Sequence, residues 1–394
     1  MKCEWKTVKL GDIAEFNKFT YSVKDEWKFV NYLDTGNITE NRIEAIQYID
    51  LFKESLPSRA KRKVKNCNII YSTVRPNQLH YGYIKEQPNN FLVSTGFAVI
   101  DVNEEFANSQ FIYYFLTQNS ITDYLHSIAE QSVSAYPSIK SSDLADVEIN
   151  LPDLETQKKI AKILSSLDDK IELNNAINHN LQQQAKAIFA KRFIGLESIP
   201  NGWKQGNLLD IANYLNGLAM QKYRPNKDEL GLPVLKIKEL RQGFCDGDSE
   251  LCSPNIKPEY VIHDGDIVFS WSGSLLVDIW CGGICGLNQH LFKVTSQTYD
   301  KWFYYLWTAH HLERFIAIAA DKATTMGHIK REELAKAEVL IPSNDNYEEI
   351  SSLMTPIFNL IIENRIESRK LEKLRDELLP KLLSGEIDVS EVAL

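Results

Sequence analysis

From Glu155 to Phe193 the chain contains neither proline nor glycine, and its apolar residues return every three or four positions: Ile160, Leu164, Leu167, Ile171, then Leu181, Ala185 and Ile188. That period lays them along one stripe of a helix. Ile350, Leu353, Ile357, Leu360, Leu371, Leu374 and Leu378 repeat the pattern later in the chain. The spacing predicts two long amphipathic helices of about 39 residues, or ~58 Å each at 1.5 Å per residue. Asp345 with Glu348 resembles a capping box opening the second helix, and Gly195 and Gly385 stand where stop signals belong. Pro380, lacking an amide hydrogen, should kink or end the second helix near Leu379. Outside these stretches the period shortens. CNIIYSTV, FAVIDV and DVEINLP read as strands bounded by Gly, Asn and Pro turns, with one helix predicted from Ser109 to Leu125.

The chain also repeats itself. WKTVKLGDIAEF (Trp5 to Phe16) matches WKQGNLLDIANY (Trp203 to Tyr214), and CNIIYS matches GDIVFS at the same offset. FIYYFL (Phe111 to Leu116) then matches WFYYLW (Trp302 to Trp307), and IKSSDLADVEINLP (Ile139 to Pro152) matches IKREELAKAEVLIP (Ile329 to Pro342). Order is kept throughout, which marks a duplicated module. The expected boundaries are 1–152 for the first globular domain, 153–195 for the first long helix, 196–343 for the second domain, and 344–394 for the second helix and tail. The fold class is therefore α+β: two similar mixed α/β domains joined by two long helices, with an internal pseudo-twofold repeat. A dyad between the copies makes the helices antiparallel, with a seam through Leu167, Asn174 and Leu181 on one and Ile357, Asn364 and Leu371 on the other. Asn174 and Asn364 are equivalent mid-helix positions, and we expect them to hydrogen-bond across that seam, setting register at some cost in stability.

Composition narrows the function. At 394 residues with 44% hydrophobic and 25% charged residues, the chain has the make-up of a globular protein of two domains. No run of ~18 uncharged apolar residues could cross a bilayer, and MKCEWKTVKLGD has no apolar signal core, so a cytoplasmic protein without a membrane partner is expected. Cys245, Cys252, Cys281 and Cys285 include one C-x3-C but lack zinc-knuckle spacing, which favours buried thiols and no metal. The net charge is −9, yet SRAKRKVK packs Arg59, Lys61, Arg62, Lys63 and Lys65 into seven positions. Such a patch acts on a phosphate backbone locally, whatever the total charge. There is no Gly-rich methyltransferase loop, no Asn/Asp-Pro-Pro-Tyr/Phe motif and no P-loop, so catalysis in this chain is not expected.

Two readers held by helical struts of this length would form a gauge along duplex DNA, whose turns recur every ~34 Å. LPDLETQKKIAKILSSLDDKIELNN (Leu151 to Asn175) and LRDELLPKLLSGEI (Leu374 to Ile387) resemble the conserved helical regions of Type I restriction-modification specificity subunits. The resemblance covers the whole chain. It implies two target recognition domains that read a bipartite, asymmetric site in double-stranded DNA, and spacer helices that scaffold two methyltransferase subunits, through which restriction and translocase subunits attach. S-adenosylmethionine, ATP and Mg are then expected only in those partners, with no cofactor in this chain.

Within the first domain, Arg75, Asn77, Gln78 and His80 follow a strand and are residue types that read guanine or adenine edges. Gln131, Ser132, Ser134 and Tyr136 lie in a polar loop before the last strand. Arg59, Lys61, Arg62, Lys63 and Lys65 are expected to hold phosphates. The matching candidates in the second domain are Ser272, Ser274, Lys322, Thr324, Thr325 and His328, with Lys236, Lys238 and Arg241 in place of the missing basic cluster. Each of these also fits an ordinary surface turn. The competing function is a coiled-coil adaptor binding protein through stripes such as FIYYFL and WFYYLW, without DNA specificity.

Overall fold

The computed structural model describes residues 5–132, 136–321 and 329–392, and the chain divides into two compact units, 1–168 with 373–394, and 169–372. The repeated phrases explain themselves in each unit. In the first, Lys6–Lys9 pairs antiparallel with Glu148–Leu151, and the Leu10 amide donates to the Val147 carbonyl at 2.9 Å. In the second, Lys204–Asn207 pairs with Glu338–Ile341, and the Leu208 amide donates to Ala337 at 3.1 Å. One repeated phrase is thus the strand partner of the other, and each copy needs both. Leu10, Leu144, Leu208 and Leu334 are fully buried behind these ribbons.

Each unit builds two four-stranded sheets with the same strand order. In the first unit, Ala14–Phe16, Phe97–Val102, Ile69–Ser72 and Tyr81–Tyr83 lie side by side; in the second, Asn213–Asn216, Leu291–Thr295, Ile267–Ser270 and Leu276–Ile279 do. The other sheets run Gln47–Asp50, Phe29–Leu33, Phe91–Ser94, Ala60–Lys63, and Leu251–Cys252, Leu232–Leu235, Cys285–Leu287, Val261–Ile262. Both contain one parallel pair among antiparallel neighbours. Strands such as Ile69–Ser72 and Ile267–Ser270 are buried on both faces, which accounts for their continuous apolar runs.

The predicted helix over 109–125 is two helices, Ser109–Leu116 and Asn119–Glu130. The first is capped by Asn108 accepting from the Phe111 amide, and it stops where Gln118 turns extended (φ −63°, ψ 140°). Phe111 and Leu116, with Trp302 and Phe303 in the second unit, are buried in core clusters, so the aromatic stripes are packing and not an exposed interface.

The long helices span Leu154–Phe189, extended by a π-turn over Ala190–Ile194, and Asn344–Leu383. No helix among the described residues is long and apolar enough to cross a membrane. The second helix begins at Asn344, so Asp345 is a first-turn acid and no capping box forms at Asp345–Glu348; Ser343 precedes the helix, its hydroxyl bonded to Asn346 at 3.1 Å. Pro380 does not end this helix, which runs to Leu383, and Pro356 lies within it as well. Proline tolerance here follows from tertiary packing: Leu382 and Leu383 are buried in the first unit's core, and Ile350, Met354 and Phe358 in the second's. Gly385 ends the helix with φ +73°, whereas Gly195 stops the other with an ordinary φ of −84°.

Within the second unit the two helices run antiparallel, with Asn174 opposite Glu367 and Ser368, Asn178 opposite Ile361 and Asn364, and Arg192 opposite Glu349. Asn174 and Asn364 are both buried in the seam, but they do not bond to each other. Asn174 Nδ2 donates to Glu367 Oε2 at 2.8 Å and Ser368 Oγ at 3.4 Å, and Asn364 Nδ2 donates to Asn178 Oδ1 at 3.0 Å. The reason is geometric. The register is centred between Asn174 and Asn178, not on Asn174, so each equivalent asparagine meets a residue one turn beyond its counterpart. The apolar phase differs too. Leu353 and Leu360 are 49% and 41% exposed, and Leu374 43%, while Ile350, Met354, Phe358 and Ile361 are buried; Leu167, Leu181, Ile357 and Leu371 are half-buried.

Replacing Asn364 with Leu strands the buried Asn178 oxygen, and is expected to cost ~1–3 kcal/mol in urea unfolding followed by helical circular dichroism. Asn178→Leu together with Asn364→Leu should recover a substantial part of that loss. A loss in the double variant equal to the sum of the losses in Asn178→Leu and Asn364→Leu would exclude the coupling.

Candidate nucleic-acid interface

In the first unit the strand Ile69–Ser72 delivers a tight loop. Ser72 Oγ donates to the Val74 carbonyl (2.9 Å), and Thr73 bonds through both its amide and Oγ1 to the Gly96 carbonyl. A second loop zips onto the first. Val74 bridges Ser138, the Arg75 amide donates to Pro137 O (2.9 Å), and the Ile139 amide to Thr73 O (2.9 Å). The two loops singled out from sequence, 72–82 and 129–140, therefore meet at one place. Arg75 is exposed, and its guanidinium lies 5.1 Å from the centre of the Tyr136 ring. That stack orients a planar fork of donors toward solvent.

Arg75 adopts φ +47°, a left-handed backbone that costs a non-glycine residue of order 1–3 kcal/mol. The second unit repeats the construction with a different side chain. Ser270 Oγ donates to Ser272 O at 3.2 Å, the Ile329 amide donates to Trp271 O at 3.1 Å, and the residue equivalent to Arg75 is Gly273, with φ +65°. Gly273 supplies the conformation without strain. Continuing the alignment of CNIIYS with GDIVFS would have revealed this pairing.

The other candidates divide by how their polar atoms are used. Asn77 and Gln78 are exposed on a 3-10 turn over Pro76–Gln78, and Gln131 is exposed nearby. His80 is occupied internally, its Nδ1 2.5 Å from the Ile38 carbonyl, and Ser132 Oγ bonds Ser138 Oγ at 3.3 Å. Ser272 is buried against His290 Nδ1 (3.2 Å), whereas Ser274 is exposed. Ser134, Lys322, Thr324, Thr325 and His328 lie outside the described residues. Residues missed in sequence include Trp271, whose indole N–H donates to Asn216 at 2.9 Å and whose ring sits 6.1 Å from that of His290.

The basic candidates are less available than their number suggests. Lys63 is ion-paired with Asp25 and lies over Trp27, and Lys65 pairs with Asp101 at 2.9 Å. Arg62 is half-buried with Nε lacking a partner among the described residues, and burial lowers its pKa. Arg59 and Lys61 are exposed on the same edge. In the second unit Lys236 pairs with Glu250 at 2.5 Å and Lys238 with Asp246 at 2.9 Å, leaving Arg241 exposed beside them. Hydrogen bonds from Lys238, then Gln242 and Ser249, hold the Asp246 carboxyl down to about 2. Among the described cysteines Cys252, Cys281 and Cys285 are buried and Cys245 is half-buried, all as free thiols, and no group of three metal-binding side chains occurs among the described residues.

Two α/β modules of one topology, each presenting a zipped loop pair and each closed by segments of two long helices, define a duplicated recognition protein. Residues 2–183 and 200–374 match the Type I restriction modification DNA specificity domain, and the chain belongs to that family. It is 24% identical to the HindI Type I restriction enzyme specificity subunit of Haemophilus influenzae, over 98% of this chain and all of that one. It is 26% identical to the MjaIX specificity subunit of Methanocaldococcus jannaschii, over 99% and 95% of the two chains. The S subunit of a Type I restriction-modification system from M. genitalium shares the fold, with a TM-score of 0.60 at 15% identity over 97% and 96% of the chains.

The strain at Arg75 has a measurable consequence. Arg75→Gly should leave thermal stability unchanged or higher, while Gly273→Arg should lower it by ~1–3 kcal/mol, since only the second creates a left-handed non-glycine residue. Acid titration offers a separate check. A depressed folded-state pKa means the Lys238–Asp246 contribution is complete above about pH 4, the unfolded value, and is lost as pH falls towards 2. Asp246→Asn should remove that part of the acid dependence.

Proposed function

We propose that the chain reads a bipartite, asymmetric double-stranded DNA target, each unit contacting one half-site through its zipped loops, and that it holds two methyltransferase subunits on its long helices. The observation that carries this reading is the pair of equivalent loops, alike in backbone and unlike in side chains. Arg75, oriented by Tyr136, has the geometry of a bidentate guanine reader; Asn77, Gln78, Gln131 and Ser274 are exposed enough to contact base edges. Arg59, Lys61 and Arg241 serve phosphates directly, and Lys63, Lys65, Lys236 and Lys238 do so by exchanging a carboxylate for a phosphate.

Leu173, Leu353 and Leu360 are large apolar side chains left exposed on the long helices of the second unit, Leu353 and Leu360 one heptad apart. They suit the docking of a partner helix. Catalysis, with S-adenosylmethionine, ATP and Mg, belongs to the partner subunits; restriction and translocase subunits join through the methyltransferases. Burial of the FIYYFL and WFYYLW stripes removes the surface that favoured a protein-only adaptor.

Methylome sequencing of a host expressing this chain with its methyltransferase partner is expected to show two unlike half-sites separated by a fixed gap. Arg75→Gly should make one base pair of one half-site degenerate, at ~1–3 kcal/mol of lost discrimination, and leave the other half-site intact. A single continuous target, or methylation without sequence preference, would overturn the reading.

A further inference from the structure

In the first unit a cavity of about 430 Å³ opens beside the helix Ser109–Leu116, and Tyr81, Tyr113, Asp168, Arg375 and Asp376 form its wall with Glu40. Its charge is unbalanced, with three carboxylates to one guanidinium. That guanidinium is paired on two sides: Arg375 Nη1 donates to Asp168 at 2.9 Å, and Nη2 and Nε donate to Asp376 at 2.8 and 3.0 Å. The Tyr114 hydroxyl donates to the other Asp168 oxygen at 2.6 Å. An anion entering the cavity would meet an excess of negative charge, because Glu40 and both carboxylates paired with Arg375 share the wall.

Two further groups point to an occupant. Tyr81 and Tyr113 are only 6% and 7% exposed, yet neither hydroxyl has a hydrogen-bond partner among the described residues. Burial raises both phenols, and after burial the influences on Tyr113 come from Tyr81, Asp168, Arg375 and Glu40, all of them cavity wall. Both side chains line the space that the carboxylates share. Glu40 is exposed, and while its amide donates to Leu79 O at 2.9 Å, its carboxylate has no hydrogen bond or ion pair among the described residues.

The second unit provides an internal control. At its equivalent place Phe358 stands for Asp168, Ala185 for Arg375 and Val277 for Tyr81, while Tyr304 and Tyr305 keep the tyrosines of Tyr113 and Tyr114. There Tyr305 packs edge-on against Phe358 at 5.6 Å, and only about 50 Å³ remains. The same backbone framework thus replaces the Asp168–Arg375 pair with Phe358 and Ala185 and nearly fills the space.

We propose that the cavity of the first unit binds an organic cation, a primary ammonium or guanidinium group on an alkyl chain, with Glu40 and Asp376 as counter-charges and the Tyr81 and Tyr113 hydroxyls as acceptors. The rings give the alkyl chain and the charge a π-rich wall. No three carboxylates or other ligating side chains among the described residues lie close enough to share one metal ion, which suits an extended cation over a compact divalent one. The cation comes either from a free polyamine or from a lysine or arginine of a partner subunit.

Isothermal titration of the full chain with spermidine, and separately with L-argininamide, tests this. One site per chain is expected, weakened roughly tenfold to a hundredfold by Tyr113→Phe, the worth of one hydrogen bond to a charged group. Asp168→Phe with Arg375→Ala, which copies the filling of the second unit, should abolish binding; Tyr113→Phe keeps the test open should that variant misfold. Spermidine binding that persists in the complex with methyltransferase subunits identifies a free polyamine, and loss of probe binding on assembly identifies a partner side chain. Binding of neither probe to the free chain, or unchanged affinity in Tyr113→Phe, overturns the proposal, and neither result bears on which DNA sequence is read.

Discussion

The register of the two long helices governs what each unit can be. In the second unit it is set by a short polar layer, Asn174 to Glu367 and Ser368 and Asn364 to Asn178, in a seam that is otherwise apolar. A slide by one turn would pull these amides off their partners and leave several buried polar atoms unpaired, each costing ~1–3 kcal/mol. It would also withdraw Phe358 and Ala185 from the core they complete with Trp302, Phe303 and Trp307. Two arginines act in the same direction: Arg365 reaches Asp278 and the Ile279 carbonyl at 2.9 Å, and Arg369 forks onto Asp264 at 2.7 and 2.8 Å. Polar pairing selects the register, and apolar burial supplies the stability that the selection draws on. Asn174 Oδ1 has no partner among the described residues, so the selection carries a cost even in the native arrangement.

The duplication was legible because it is written in the strands. Trp5 to Phe16 and Ile139 to Pro152 recur because each pairs with the other, and a change in one must be met within the same copy. The helices were legible in extent and less so in phase. Residues 350–362 hold so many apolar side chains that two stripes of helical period coexist, one through Leu353 and Leu360, the other through Ile350, Met354, Phe358 and Ile361. Periodicity alone cannot choose between them; the globular core does, by accepting Phe358 beside Tyr305. Helix ends escaped for a similar reason. Pro380 breaks a local rule in a segment whose last residues are anchored by tertiary burial, and the anchoring outweighs one lost hydrogen bond.

The candidate site was legible as residue types and not as availability. SRAKRKVK reads as a basic patch, yet Lys63 is taken by Asp25 and Trp27 while Lys61 is exposed. The strand register shifts between Val93 and Ser94, opposite Lys61, so the regular alternation that would put Lys61 and Lys63 on one face is broken there. His80 and Ser272 carried suitable chemistry and were taken by the backbone carbonyl of Ile38 and by His290. What local sequence could not show was the meeting of loops 72–82 and 129–140, which requires the Thr73–Ile139 and Val74–Ser138 pairing across more than sixty residues of chain.

A chain that contains the same fold twice separates what the fold requires from what it merely permits. The left-handed turn before the 3-10 segment is required, since both copies adopt it; the arginine on it is not, because Gly273 meets the backbone demand with less strain. The closure between module and long helices is likewise required, but an ion pair there is not. Burying Asp168, Arg375 and Tyr114 together gains little over a well-packed apolar set, because desolvation offsets most of the attraction, and Phe358, Ala185 and Tyr305 show that such a set fits. Both departures lie in the first unit and both place charged side chains beside open space: a guanidinium over Tyr136 and the Asp168–Arg375 pair in a cavity wall. Stability alone would have favoured the solution found in the second unit at each position, so the polar residues of the first answer to something the folded chain does not itself contain.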